Sequence, residues 1–361
     1  MSGIVADNVD RASGVVTAAA AGPTISASDP TISTNATLGT QWANSTSGEF
    51  YVCTDATTDA NVWTNVGDGS GNIEPWVFQG TVSGYSSGGW TGSASNIIDK
   101  FSFTSDGNAT DVGDITVSRM STAGQSSPTY GYTSGGETSP QLDVIDKFAF
   151  ASDGNATDVG NLTLARGYPG GQSSETYGYN SAGYTSTNVI DKFSFTSDGN
   201  ATDVGDLTVS RYAPAGQSSE THGYTTGGYA SSRLDVIDKH TFASDGNATD
   251  VGDLTVSRNN NGGQSSETHG YTSGGNDAGS ARNIIDKFAF ASDGNATDVG
   301  DITTGRYSPA GQSSTTHGYN SGGYISSYYD IIDKFAFASD GNATDVGDLT
   351  VSRRHPAGQQ Y

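Results

Sequence analysis

The sequence predicts an all-β fold made of six tandem units, and three observations carry that prediction. An Ile-Asp-Lys string recurs six times, with its aspartate at Asp99, Asp146, Asp191, Asp238, Asp286 and Asp333. The intervals are 47, 45, 47, 48 and 47 residues, and self-similarity at such a period marks a repeat architecture. Within each unit, short runs alternate apolar and polar residues. In IDKFSF, Phe101 and Phe103 share one face while Lys100 and Ser102 share the other. No segment carries the apolar stripe of a helix, and glycine supplies 50 of the 361 residues, so turns are frequent and strands short.

The unit has a fixed internal length. Each of those aspartates is followed 20 positions later by the arginine that closes an LTVSR-like segment, at Arg119, Arg166, Arg211, Arg258, Arg306 and Arg353. From each of the first five arginines it is 17 positions to the glycine that ends the next small-residue pair, at Gly136, Gly183, Gly228, Gly275 and Gly323. Length varies only between that glycine and the next Ile-Asp-Lys aspartate, where the gap is 8 to 11. Strands are expected in GYTSGGY, VIDKFSF and DLTVSR, with a fourth in AGQSSETH. Four strands in roughly 47 residues is the size of one propeller blade, so residues 76–361 are expected to form a six-bladed β-propeller. Two segments compete to close the ring, because residues 76–80 (WVFQG) and 356–361 (PAGQQY) both match the inner strand of later units.

The pair Gly227–Gly228, the hydrophobic–Asp–aromatic segment ending at Phe242, and then Leu254 and Arg258 resemble a kelch-type repeat. The resemblance covers residues 76–361. It departs from the kelch pattern in lacking the tryptophan downstream of the second-strand aromatic, where this chain has Asn-Ala-Thr-Asp-Val. Phenylalanine pairs such as Phe148 and Phe150 are expected to fill the space between blades instead. Kelch relatives are mostly scaffolds and binders, and one branch resembles galactose oxidase.

In front of the repeats, residues 29–75 read as a small β-rich module with two or three strands, Trp42, Tyr51 and Trp63, and a Thr-Ser-Gly-Glu hairpin turn. The string LGTQWANSTSGEFYVCTDATTDANVWTN is similar to short modules of bacteriophage fibre and baseplate proteins. The opening MSGIVADNVDRASG resembles the N-termini of marine phage structural proteins. Residues 1–28 are small, polar and unpatterned, and are expected to be an extended virion-anchoring segment that orders only against a partner.

Composition excludes several functions. With 39 acidic against 16 basic residues and a net charge of −23, the chain cannot grip phosphates without regard to sequence, so nucleic acid is not expected as a partner. The one cysteine, Cys53, allows no intrachain disulfide and no thiolate metal cluster. No apolar run is long enough for a membrane span, and Asp7 and Asp10 stand where a secretion signal would be positive. G-x-S-x-G, HExxH and Walker motifs are missing, and so is a propeller cysteine for a galactose-oxidase-like copper site. No enzyme activity, cofactor or metal is therefore expected.

Three repeated motifs have both a chemical and a structural reading. In SDGNATDVG, Asp106, Asn108 and Asp111 offer oxygens suited to Ca²⁺, but the preferred reading is a glycine-containing turn between the third and fourth strands. The segment also resembles the Asp-box hairpin of sialidases, with a different residue order and no tryptophan. His222, His269 and His317 share a repeat position with Tyr130 and Tyr177, which favours packing over a metal site. The repeated lysine and arginine, Lys100 and Arg119 in the first unit, are expected to form ion pairs within each blade rather than an axial anion ring.

Variation is confined to one side. Antiparallel blades put the loops between second and third strands on the same face as the connections between blades. Those segments differ freely (WTGSASN, ETSPQLD, YISSYYD; MSTAG, NNNGG, YSPAG), while the opposite turns are nearly identical. The variable face carries Trp90, Tyr168, Tyr184, Tyr212, Tyr229, Tyr307, Tyr324, Tyr328 and Tyr329, and tyrosine with serine, glycine and asparagine is the composition of adaptable recognition surfaces. These residues are the expected binding site. The expected function is that of a phage tail-fibre or spike-type appendage, located in the virion and multimeric on the particle. Its N-terminal segment would meet other virion proteins and its propeller a host-surface glycan or protein, a neutral glycan ahead of a sulfated or phosphorylated one. The alternatives are a purely structural or decorating virion protein and, more remotely, a carbohydrate-active enzyme.

Overall fold

A computed structural model of the chain describes residues 22–66, 77–184 and 187–361. The chain divides into two compact units, Met1–Trp76 and Val77–Tyr361. All the regular structure of the described residues is β, in seven four-stranded sheets rather than six. The extra sheet belongs to the first unit, where Thr24–Ser26, Gln41–Asn44, Phe50–Asp55 and Val62–Asn65 lie in that order. Tyr51, Cys53 and Trp63 form its core, with the Trp42 ring edge-on to Trp63 at 5.9 Å. The hairpin turn falls where expected, with Gly48 at φ +81° donating its N–H to the Asn44 carbonyl. The expected anchoring segment begins outside the described residues. Within its last part, Thr24–Ser26 pairs in parallel with Trp42–Asn44.

The second unit holds six sheets of one pattern, numbered here 1 to 6 along the chain. In sheet 2 the strands are Ala123–Ser126 (inner), Tyr130–Ser134, Val144–Ala149 and Thr157–Asn161 (outer), joined antiparallel as a meander. Each inner strand lies against the inner strand of the next sheet, and the series returns to its start when Ala357–Gln360 meets Ala123–Ser126. That C-terminal strand is the inner strand of sheet 1, pairing Ala357–Gln360 with Gly84–Ser87. Residues 77–80 do not take that place. Gly80 instead bridges Ser314, and the Gln79 amide donates to the Ser265 carbonyl. This β-propeller-like unit is thus closed by non-contiguous ends of its sequence.

One strand assignment from the sequence is corrected. The outer strand is TDVGD, as at Thr110–Asp114, not DLTVSR. The LTVSR-like segments are the connections between sheets. Within that strand Gly113, at φ +154°, passes the turn of the next sheet so closely that a Cβ there would stand 2.3 Å from the Gly154 carbonyl oxygen.

The apolar cores lie between sheets. Tyr132, Ile145 and Leu162 of sheet 2 pack against Phe193 and Ala201 of sheet 3. The same cluster recurs at all six junctions, including Tyr319, Ile332 and Leu349 of sheet 6 against Phe101 and Ala109 of sheet 1. The phenylalanine pairs do fill the spaces between sheets, the second ring stacked on the preceding sheet's tyrosine at five junctions, as Phe195 on Tyr132 at 4.7 Å, and tilted against it at the sixth. A second-strand glycine makes room for the first ring, since a Cβ on Gly131 would fall 2.3 Å from Phe148.

The repeated charges also act between sheets, which corrects the expectation of pairs within one blade. Arg119, in the connection leaving sheet 1, pairs with Asp146 on the third strand of sheet 2 at 2.8 Å, both side chains fully buried. The same carboxylate accepts from the Thr116 N–H and hydroxyl at 2.9 and 2.6 Å, and the guanidinium also donates to the Thr133 carbonyl. Equivalent pairs, Arg166–Asp191, Arg211–Asp238, Arg258–Asp286, Arg306–Asp333 and Arg353–Asp99, complete the circuit. Burial lowers the guanidinium pKa of Arg119, and Asp146 opposes that shift. Asp238→Asn is expected to cost about 3–5 kcal/mol in urea unfolding, because it leaves Arg211 buried without its counter-charge. Lys147→Met, at a pair with Asp198 that is 20 % and 58 % exposed, is expected to cost no more than about 1 kcal/mol.

Sheet 4 breaks the pattern once. His240 replaces the first phenylalanine and lies 5.3 Å from the Tyr179 ring, with both ring nitrogens buried and without a hydrogen-bond partner. Desolvation, then the charge of His222, pushes its pKa down to about 4. The unfolded chain, with histidine near its ordinary 6.5, binds more protons than the folded one between those values, so stability falls as pH drops from about 6.5 to about 4. His240→Phe is expected to raise the unfolding free energy by about 1–3 kcal/mol near neutrality and to flatten that decline. Denaturation series at pH 7 and pH 4.5 measure both.

Candidate functional site

The connections that carry the clamping arginines end at the axis in six residues with left-handed backbones: Ser121, Tyr168, Ala213, Asn260, Ser308 and His355, at φ 56° to 61°. That conformation is uncommon outside glycine, and a shared hydrogen-bond circuit accounts for it. Each N–H donates to the carbonyl of its counterpart in the preceding sheet, from Tyr168 to Ser121 and around to Ser121 donating to His355, at 2.8–3.0 Å. With the prolines that follow four of them, these residues line an axial hollow of about 60 Å³. The Tyr168 ring stands edge-on to His355 at 5.0 Å. Desolvation holds the His355 imidazole well below its usual range, with a pKa of about 3, and Arg354 adds to the shift.

Outside this circuit each sheet presents a short row. The residue before the left-handed one pairs across with the residue after the glycine pair, giving Arg354–Trp90, Met120–Glu137, Gly167–Tyr184, Tyr212–Tyr229, Asn259–Asn276 and Tyr307–Tyr324. In five sheets the row continues to the returning limb of the loop, at Ala94, Gln141, Arg233, Ala281 and Tyr328. The backbone bridges repeat while the side chains do not. The sequence therefore varies at positions that the fold holds in fixed places.

The aromatic residues singled out from the sequence fall into two groups. Tyr168, Tyr184, Tyr212 and Tyr229 of sheets 3 and 4 contact in series, Tyr212 lying 6.1, 5.4 and 5.4 Å from the other three. Tyr307, Tyr324 and Tyr328 of sheet 6 do likewise at 5.5 and 5.4 Å, and the Trp90 indole N–H of sheet 1 donates to the Tyr328 hydroxyl at 2.9 Å. Tyr168 lines the axial hollow and Tyr184 is 46 % exposed. Desolvation raises the phenol pKa values of Tyr168, Tyr212 and Tyr307. Tyr329 sits at the foot of its loop with its backbone bonded to Gly323 and Arg353, and among the described residues its ring joins neither group.

Sequence reasoning missed two members of this surface. The Arg354 guanidinium lies 4.9 Å over Tyr324 and 5.9 Å over Tyr328, and Arg233 lies 5.9 Å over Tyr229. Arg233 lies in one of the variable loops but was passed over in a reading for aromatics, and Arg354 was missed because the last connection was read only as a candidate closing strand.

The other motifs are committed to the fold. Asp106 pairs with Lys334, Asn108 accepts from the Asp348 N–H, and Asp111 accepts from the Gly113 N–H, so the three oxygens of SDGNATDVG serve different partners. His222, His269 and His317 each share a 2.8 Å hydrogen bond with the preceding threonine. Among the described residues no three His, Cys, Asp or Glu side chains converge as a metal site, and no helix is long and apolar enough to cross a membrane. Compared with known proteins, the chain matches no family model and no curated protein.

Proposed function

We propose that the Val77–Tyr361 unit is a six-bladed, kelch-like propeller whose variable face binds a receptor on a host surface, and that the chain is an appendage of a bacteriophage virion. The seventh sheet then belongs to the N-terminal module, which with the residues before it would attach to other virion proteins. The six rows of paired residues carry this reading. The turns of the opposite face are tied to the junctions between sheets, whereas the row positions are free to differ, and at four of the six sheets they bring aromatic rings together in two groups. Rings held edge to edge beside asparagine, serine and glycine suit the faces and hydroxyls of sugars, so a glycan is the favoured ligand class.

Replacing Tyr324 and Tyr328 together with Ala is expected to weaken glycan-array binding and cell adsorption of the full chain by at least about fivefold, since each ring contact is worth ~0.5–1.5 kcal/mol. Unfolding free energy should stay within about 1 kcal/mol, as expected of two surface-loop changes. Tyr329→Ala, outside the ring contacts, should have a smaller effect, and Asp293→Asn with Asp340→Asn in the opposite turns should have none on binding. Equal loss from the turn variants, or none from the tyrosines, would leave a structural or decorating role in place of receptor binding.

A further inference from the structure

The chain has more than twice as many acidic as basic residues, so a cation without an acidic partner is unusual here. Each repeated lysine and each repeated arginine has its aspartate, and Arg282 has Asp277. Among the described residues that leaves Arg233 and Arg354. Both lie on the variable face, and both lie within about 6 Å of tyrosine rings of the two aromatic groups. Arg233 is fixed by an Nε–H bond to the Asn276 carbonyl at 2.9 Å, and among the described residues its terminal nitrogens have no acidic partner. The Arg354 Nε is buried with no hydrogen-bond partner.

Their placement is symmetric. Arg354 with Trp90, Tyr307, Tyr324 and Tyr328 occupies sheets 1 and 6, while Arg233 with Tyr184, Tyr212 and Tyr229 occupies sheets 3 and 4. Sheet 2 separates the groups on one side and asparagine-rich sheet 5 on the other, so the two sites face each other across the axis. A guanidinium held over a ring presents a fork suited to a carboxylate, and the ring beside it suits the apolar face of a sugar.

We propose that Arg354 and Arg233 are the anion-binding points of two like subsites, and that the ligand is a glycan bearing carboxylated sugars at intervals along an otherwise neutral chain. This rests on the receptor-binding reading of the same face and names its ligand class. A densely sulfated or phosphorylated polymer fits poorly, because the net charge of −23 repels continuous negative charge. Two isolated guanidiniums match two isolated carboxylates. Both positions tolerate replacement on the evidence of the repeats themselves, since Met120, Gly167, Tyr212, Asn259 and Tyr307 stand where Arg354 does, and Ala94, Gln141, Ala281 and Tyr328 where Arg233 does.

The test uses the full chain on a panel of uronate- and sialate-containing oligosaccharides, each printed beside the same oligosaccharide with its carboxyls reduced to alcohols. At least one pair should discriminate by about tenfold or more, the scale of a charge-assisted hydrogen bond. Arg354→Gln and Arg233→Gln should each remove most of that discrimination at one subsite, and the double variant should bind both members of the pair alike, with unchanged thermal unfolding. Binding that depends on Tyr324 and Tyr328 but ignores carboxyl reduction and both arginines would overturn this proposal and leave glycan recognition standing. Absence of binding to every oligosaccharide, with cell adsorption indifferent to the tyrosines, would overturn both.

Discussion

The buried contact between one sheet's aspartate and the chain arriving from the sheet before it governs this molecule. At each junction a carboxylate takes the N–H and hydroxyl of one threonine and a guanidinium nitrogen, as Asp146 does from Thr116 and Arg119. A buried ion pair often adds little net stability, because desolvating two charges offsets their attraction. Its effect here is on geometry. The guanidinium donates on to a second-strand carbonyl, Thr133 for Arg119, so the connection, the third strand and the second strand are fixed together. The angle between one sheet and the next is set six times by the same group of atoms.

That fixed joint separates the two ends of the sheets. At the turn end, Lys100 and its equivalents reach the aspartate of the next sheet's turn, the turn asparagine accepts an N–H from the preceding outer strand, and the turn alanine fills the cavity between sheets. Change there would loosen a junction. At the other end, the connection is secured by its arginine and by the left-handed circuit at the axis, both through atoms independent of the side chains in the rows. The rows can therefore vary at little cost to stability, which is the condition a recognition surface requires.

Much of this was legible in the sequence because repetition reveals what each position tolerates. The invariant 20- and 17-residue spacings located the junctions, and the length variation located the loops. The outer strand was misread because LTVSR alternates as a strand should, yet its arginine and threonine are needed for the clamp and its backbone for the connection. The partners of the charges were misread for a related reason. A repeat gives every unit the same aspartate and arginine, so spacing alone cannot tell a pair within one unit from a pair with the next. Choice of the closing strand was open because residues 76–80 and 356–361 share the same short pattern. The structure favours the C-terminal segment, whose Gln359 side-chain amide donates to the Tyr132 carbonyl of the next sheet as the glutamine at that position does in each of the other five inner strands. The arginines on the variable face were hidden by composition, since a strongly acidic chain draws attention away from its few cations.

If six like joints close the ring, no sheet should open alone. Native-state hydrogen exchange at the amides of Thr116, Thr163, Thr208, Thr255, Thr303 and Thr350, each donating to a buried aspartate, and at the Ala357–Gln360 strand measures this directly. The account predicts one common opening free energy, equal to that of global unfolding, at all seven places. Exchange of the C-terminal strand or of a single threonine well below the global value would show that the ring is not held by equivalent junctions.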